Sequence, residues 1–110
     1  RGLKRLMDAM EALDTRMLVL EFANREMSEL DILAPLSERF DVAAGVIDVK
    51  SFHQESPEDV ADRIRQVLRH VPAERLTVTA DCGFSAIPRW LACQKMGAMV
   101  AGARLVRDEL

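Results

Sequence analysis

Ionisable side chains and a thiol stand at the ends of three short apolar segments of this chain. Glu21 ends the first segment, Lys50 ends the second, and Asp81 and Cys82 follow the third. Carboxylates and thiolates are both ligands that Zn²⁺ accepts. If the three ends lie at one edge of a sheet, Glu21 and Cys82 predict a zinc site. Lys50 and Asp81 are then candidate catalytic residues beside the substrate.

The elements that must position these residues follow from the spacing of the apolar residues. We expect strands at 17–20, 44–49 and 76–80, and helices at about 3–13, 27–40, 57–71 and 88–108. Because each helical connection is long enough for a parallel crossover, this order predicts an α/β fold with a parallel sheet, in a single unit spanning 1–110. Ligands bind at the carboxyl ends of parallel strands. There, Glu21 and Cys82 are expected to emerge side by side from neighbouring strands.

Local signals add detail to three of these elements. Ser56 is expected to cap the third helix by accepting from a free backbone N–H, and Pro57 suits the first helical position. The first strand is an unbroken apolar run and is expected to be buried on both faces. The last helix is expected to turn these residues inwards: Trp90, Leu91, Met96, Met99, Val100, Ala103 and Val106.

Composition excludes several classes of protein. The 110 residues are 49% hydrophobic, which is typical of a small globular unit and not of a disordered chain. Fifteen Lys and Arg against 18 Asp and Glu give a net charge of −3, which argues against a nucleic-acid-binding module. The apolar runs are too short to span a membrane. Two Cys are too few for a disulfide scaffold, so we expect a reducing, cytoplasmic setting.

Each reactive side chain also has a purely structural interpretation. Cys82 is either a metal ligand or a small apolar filler. Cys93 lies inside the last helix, where packing is the favoured role. His53 lies in the loop after the second strand, where solvent exposure is favoured over ligand contact. His70 is expected only to complement the dipole at the end of the third helix.

Three segments together resemble one known family. They are LVLEFANREMSELDIL, GVIDVKSFHQESPEDVADRIRQVLRHVPAERL and TADCGFSAIPRW. They resemble the C-terminal part of the cobalamin-independent methionine synthase family and its shorter homologues, from about Met17 to Leu110. The resemblance implies the last three βα units of a TIM (β/α)₈ barrel. It also implies a catalytic Zn²⁺ bound by His, Cys, Glu and Cys.

The resemblance assigns two of these zinc ligands to residues of this chain. Glu21 matches the zinc-binding Glu, and Cys82 matches the last zinc-binding Cys. The other two ligands come from a His-x-Cys pair, which this sequence lacks and which is expected before Arg1. A whole barrel needs about 250 residues. The chain is therefore expected to require an N-terminal portion or to associate with copies of itself, and to be inactive alone.

The resemblance also implies a reaction and leaves alternatives open. The family transfers a methyl group from 5-methyltetrahydrofolate to the thiolate of homocysteine, which zinc activates. Lys50 stands where these synthases usually have His in an Asp-x-His-Ser motif. The stretch after Cys82 resembles the shorter homologues, some of which alkylate coenzyme M with an epoxide. The remaining alternatives are a metal-free, decarboxylase-like relative and a non-catalytic, truncated barrel fragment.

Overall fold

The computed structural model describes residues 2–110, and these residues contain three strands and four α-helices. The strands are β1 (Met17–Glu21), β2 (Asp41–Ile47) and β3 (Leu76–Ala80). The α-helices are α1 (Met7–Glu11), α2 (Leu33–Ser37), α3 (Pro57–Leu68) and α4 (Arg89–Arg107). Short 3₁₀ turns occupy Lys4–Leu6, Ala23–Arg25, Leu30–Ile32 and Ala73–Arg75. Within the described range, no helix combines the length and the apolar character that crossing a membrane requires.

The sheet has the order β1-β2-β3, and both strand pairs are parallel. The register is regular along β1 and β2 and shifts near the end of the β2–β3 pair, where Ile47 pairs with Ala80. The predicted α/β class with a parallel sheet is confirmed. All three strands therefore end at the same edge, which we call the carboxyl rim.

β2 is the centre of the core because a strand covers each of its edges and helices pack against it. Every residue of β2 after Asp41 is buried. α3 adds its own apolar face, on which Val60, Ile64 and Val67 are buried. The start of α3 is also confirmed, since the Ser56 side chain accepts from the Asp59 N–H and the Asp59 carboxylate accepts from the Ser56 N–H.

Two expectations about the strands are wrong. β2 begins and ends earlier than the predicted 44–49, so Lys50 lies three residues beyond the strand rather than at its end. β1 is buried on one face only: Leu18 is 7% exposed, whereas Val19 is 65% exposed. Alternate residues of a strand point to opposite faces, and Leu18 joins the main core while Val19 does not.

The expected inward face of α4 is also partly wrong. Trp90, Met96 and Val100 are 59%, 49% and 47% exposed. The buried residues instead follow one helical stripe, and they are Leu91, Lys95, Ala98, Gly102 and Val106. Steps of three and four residues place these side chains on one face of the helix. This face includes Lys95 and Gly102, which a search for apolar side chains alone does not select. Cys93 is exposed and does not have the predicted packing role.

Candidate metal centre

The four residues singled out in the sequence all lie at the carboxyl rim. Glu21 is the last residue of β1 and is partly exposed, and Lys50 is exposed on the loop after β2. Asp81 follows β3 directly and is buried, whereas Cys82 next to it is an exposed free thiol. Parallel strands bring these residues, which are far apart in the chain, to one edge of the sheet.

The expectation that Glu21 and Cys82 emerge from neighbouring strands is wrong. β2 lies between β1 and β3, so the two residues leave the outer strands of the sheet. Adjacent strands are roughly 5 Å apart, so two outer strands have axes about 10 Å apart. No strand pairing holds the end of β1 against the end of β3, so the loops beyond the strands must approach each other through other contacts.

Asp81 makes that approach by binding the loop after β1. Its Oδ1 accepts from the backbone N–H groups of Phe22 and Ala23, both at 3.2 Å, and its Oδ2 accepts from the Asn24 N–H at 2.7 Å. Its own N–H donates to the Ile47 carbonyl at 2.9 Å. Asp81 therefore connects the ends of all three strands.

Gly45 of β2 leaves the space that this connection requires. A Cβ at position 45 would collide with the Asp81 carboxylate and would lie 2.9 Å from the Asp81 Cα. Any larger residue would push Asp81 away from β1. The backbone conformation of Gly45 needs no positive φ, so the need for glycine here is one of space.

Asn24 continues the connection to Glu21. The Asn24 Nδ2 lies 3.5 Å from the Glu21 Oε2, to which it donates a long hydrogen bond. The Asn24 Oδ1 is buried and accepts no hydrogen bond within residues 2–110. A buried acceptor of this kind is satisfied by a water or a bound group. Asn24 was missed in the sequence, where only its spacing of three residues from Glu21 could have signalled it.

The charge state of Asp81 reflects opposing effects. Burial raises the pKa of Asp81, the three backbone N–H groups lower it, and the nearby Glu21 carboxylate raises it. The net pKa lies above the ordinary value of 3.8. A second carboxylate close by is one of the standard causes of such a shift, and here it indicates that Glu21 and Asp81 share one electrostatic environment.

A buried ion pair fixes the loop after β2, which carries Lys50. The Lys95 side chain is fully buried, and its Nζ donates to the Glu55 Oε1 at 2.7 Å, the Asp48 carbonyl at 2.9 Å and the His53 carbonyl at 2.8 Å. The Glu55 Oε2 accepts from the Asp48 N–H and from Arg63, both at 3.2 Å. These hydrogen bonds fix the loop near both of its ends, at Asp48 and at His53.

Sequence reasoning missed Lys95 and Glu55. Charged residues are expected at the surface unless they are paired, and the pair is separated by 40 residues. A usable signal was the position of Lys95 on the stripe of α4 that also contains Leu91 and Ala98. His53, by contrast, is exposed as expected.

The donor set at the rim fits zinc but is incomplete. Glu21 and Cys82 offer one carboxylate and one thiol, both of which Zn²⁺ binds. Within residues 2–110, no group of three or more His, Cys, Asp or Glu side chains is arranged to hold a metal ion. Zinc sites use three or four protein ligands, so a zinc ion held by this pair needs ligands from outside the described residues.

Comparison with known proteins identifies the family to which the chain belongs. The family model described as "Cobalamin-independent synthase, Catalytic domain" matches residues 2–105. The chain belongs to this family of catalytic domains, and the resemblance in the sequence is confirmed.

Individual relatives agree with this assignment. A methionine synthase of Thermococcus kodakarensis is 39% identical over 105 residues, which is 96% of this chain and 31% of the relative. A 2-hydroxypropyl-CoM lyase of Xanthobacter autotrophicus is 49% identical over 76 residues, which is 69% of this chain and 20% of the relative. The chain thus spans about a third or less of the length of these relatives.

A solved structure shows the same arrangement of elements. The B12-independent methionine synthase from Shewanella sp. W3-18-1, in complex with selenomethionine, superposes with a TM-score of 0.91 at 28% sequence identity. The match covers 99% of this chain and 31% of that structure. The predicted fold class, a parallel α/β portion of a TIM barrel, is confirmed.

Proposed function

We propose that this chain forms the zinc-binding rim of a cobalamin-independent methionine synthase. The reaction is methyl transfer from 5-methyltetrahydrofolate to the homocysteine thiolate in methionine biosynthesis. The observation that carries this proposal is the connection of the three strand ends through Asp81, because it links the loops that bear Glu21 and Cys82. Family membership supplies the reaction class.

Glu21 and Cys82 would hold the zinc ion, together with a His-x-Cys pair expected before Arg1. Bound zinc lowers the pKa of a coordinated thiol, so that the acceptor is present as a nucleophilic thiolate near neutral pH. Glu21 leaves the sheet beside Asn24, which orients its carboxylate by a hydrogen bond. Cys82 is exposed at the rim, as a residue that meets both a metal and a substrate must be.

Lys50 and Asp81 are the proposed catalytic residues and would lie close to the substrate. Lys50 is exposed on the loop that Lys95 and Glu55 fix, and its ammonium group would either orient an anionic group of the substrate or take part in proton transfer. Its backbone N–H donates to Asp48 Oδ1 at 2.9 Å, which further defines the turn at this point. The expected partners are a small-molecule thiol and an alkyl donor, in a cytoplasmic setting.

A second candidate is alkyl transfer to another thiol, such as coenzyme M with an epoxide-type substrate. The 49% identity to a 2-hydroxypropyl-CoM lyase over 76 residues favours it. Lys50 in place of the His of the methionine synthases favours it too. Both candidates use a zinc-activated thiol, so they differ in substrate and not in the roles of Glu21 and Cys82.

The test is alkyl transfer by the reading-frame product, meaning the protein translated from the whole reading frame that encodes this chain. It is loaded with Zn²⁺ and offered homocysteine with 5-methyltetrahydrofolate, or coenzyme M with an epoxide. We expect methionine to form, and we expect Cys82→Ser to abolish this while Cys93→Ser, at the other exposed cysteine, leaves it unchanged. Transfer to coenzyme M alone would favour the second candidate. Transfer to neither thiol by the zinc-loaded protein would refute both and leave a non-catalytic barrel fragment.

A further inference from the structure

We infer that Asp81 is a positioning residue that sets the separation of the two proposed zinc ligands, and that Asn24 and Gly45 are required for this role. The inference deepens the proposed function and rests on it. It assigns Asp81 to the geometry of the site rather than to contact with the substrate.

The Asp81 carboxylate binds a single loop through both of its oxygens. It accepts three backbone N–H groups from consecutive residues of one loop, 22–24, at 2.7 to 3.2 Å. The residue as a whole is only 7% exposed. A carboxylate with these partners holds the loop 22–24 at a defined distance from the end of β3.

These contacts link the two proposed ligands by short paths. Cys82 is bonded directly to Asp81 in the chain. On the other side, Asp81 holds the Asn24 backbone, and the Asn24 side chain donates to Glu21. Outer partners that orient a ligating carboxylate in this way commonly change metal affinity by about 10- to 100-fold when they are removed.

The two outer strands need such a link. β2 separates β1 from β3, so no strand pairing fixes Glu21 relative to Cys82. The Asp81 side chain crosses the end of β2 at Gly45, where a Cβ would collide with its carboxylate. Gly45 therefore permits the link, and replacing it disturbs the link while both ligand side chains stay present. Because Gly45 is also the ladder partner of Glu21, Asp81→Asn is the variant that tests the link alone.

The experiment measures zinc affinity of the reading-frame product by competition with a chromophoric chelator, at a temperature where every variant is folded by circular dichroism. We expect Asp81→Asn and Gly45→Ala each to weaken zinc binding by about 10- to 100-fold. Asn24→Ala, which keeps the backbone contact with Asp81 and removes only the side-chain contact with Glu21, is expected to weaken it less. The matched control is Gly97→Ala, since a Cβ at Gly97 meets no atom within 4 Å.

Two further measurements separate positioning from a merely structural role. Hydrogen exchange of the amides of Phe22, Ala23 and Asn24 is expected to accelerate in Asp81→Asn. The visible ligand-field bands of the Co²⁺-substituted protein are expected to shift in Asp81→Asn and Gly45→Ala, and to be unchanged in Gly97→Ala. A change in global stability alone would not alter these bands in a folded protein.

The outcomes distinguish this inference from the function on which it rests. If the unsubstituted protein bound no zinc, the proposed function would be refuted, and the inference with it. If that protein bound zinc and the folded Asp81→Asn and Gly45→Ala variants bound it equally tightly, only the inference would be overturned.

Discussion

The buried pair of Lys95 and Glu55 gives a prediction that is independent of zinc. Lys95→Met keeps an unbranched side chain of similar length and removes the ammonium group. Three acceptors then lose their donor, namely the Glu55 carboxylate and the carbonyls of Asp48 and His53. The carboxylate of Glu55 stays buried, with a side-chain exposure of 1%.

The size of the effect follows from this geometry. Removing one partner of a buried ion pair costs about 3–5 kcal/mol. Glu55 keeps Arg63 and the Asp48 N–H as partners. We therefore expect a cost at the lower end of this range, a loss of about 3 kcal/mol in the free energy of unfolding. At a urea slope of about 3 kcal/mol/M, the upper value for small proteins, the unfolding midpoint falls by about 1 M.

The assay is urea unfolding of the reading-frame product, followed by circular dichroism. Lys4→Met is the matched control because Lys4 pairs with Asp31 at the surface, where both side chains are more than half exposed, and such pairs contribute little. Adding Glu55→Gln to Lys95→Met is expected to restore part of the loss, because it removes a buried charge that has lost its fully buried partner. A midpoint for Lys95→Met as high as that of Lys4→Met would refute this reasoning.

The same pair predicts a pH dependence. Burial tends to raise the pKa of Glu55, but the hydrogen bonds from Lys95, from the backbone and from Arg63 outweigh it, so the pKa is lowered from its ordinary value of 4.5. A lowered pKa contributes stability that is present above the unfolded-state value and is lost as the pH falls through the folded-state value. The stability difference between the unsubstituted chain and Lys95→Met should therefore shrink as the pH falls below 4.5. A constant difference from neutral pH to strongly acidic pH would contradict the assignment.

Two further predictions concern α3 and α4. Gly102→Ala should lower the free energy of unfolding by about 1–3 kcal/mol through overpacking, since its Cβ would lie 2.7 Å from Val60. Gly97→Ala, in open space on the same helix, should raise the free energy of unfolding by about 0.5–1 kcal/mol. Equal effects of the two alanines in urea unfolding would exclude the close contact. Ser56→Ala should cost about 1 kcal/mol by removing the cap of α3, and an unchanged urea midpoint would show that the capping box contributes nothing.

Local chemistry made much of the fold predictable. The start of α3 was correct because Ser56, Pro57 and Asp59 act within one turn of each other. The parallel sheet was correct because the alternation of strands and helical connections restricts the topology. The β2 boundaries were wrong because an unbroken apolar run such as 42–47 has no periodicity to mark its ends.

The contacts that organise the rim were not predictable in the same way. The hydrogen bonds of Asp81 join residues that are separated by 57 to 59 positions in the chain. Patterns of residue spacing within one element do not indicate such distant contacts. Strand order is likewise undetermined by the alternation, which is why Glu21 and Cys82 were expected on neighbouring strands. Lys95 was overlooked because its burial depends on a partner, Glu55, that only the fold supplies.

The central claim is that Glu21 and Cys82 share one zinc ion. Its most direct test is the zinc content of the purified reading-frame product, measured by elemental analysis. The account predicts one zinc ion per chain in the unsubstituted protein and in Cys93→Ser, and a clear loss in both Glu21→Gln and Cys82→Ser. Equal zinc content in all four proteins, or none in the unsubstituted one, would contradict it.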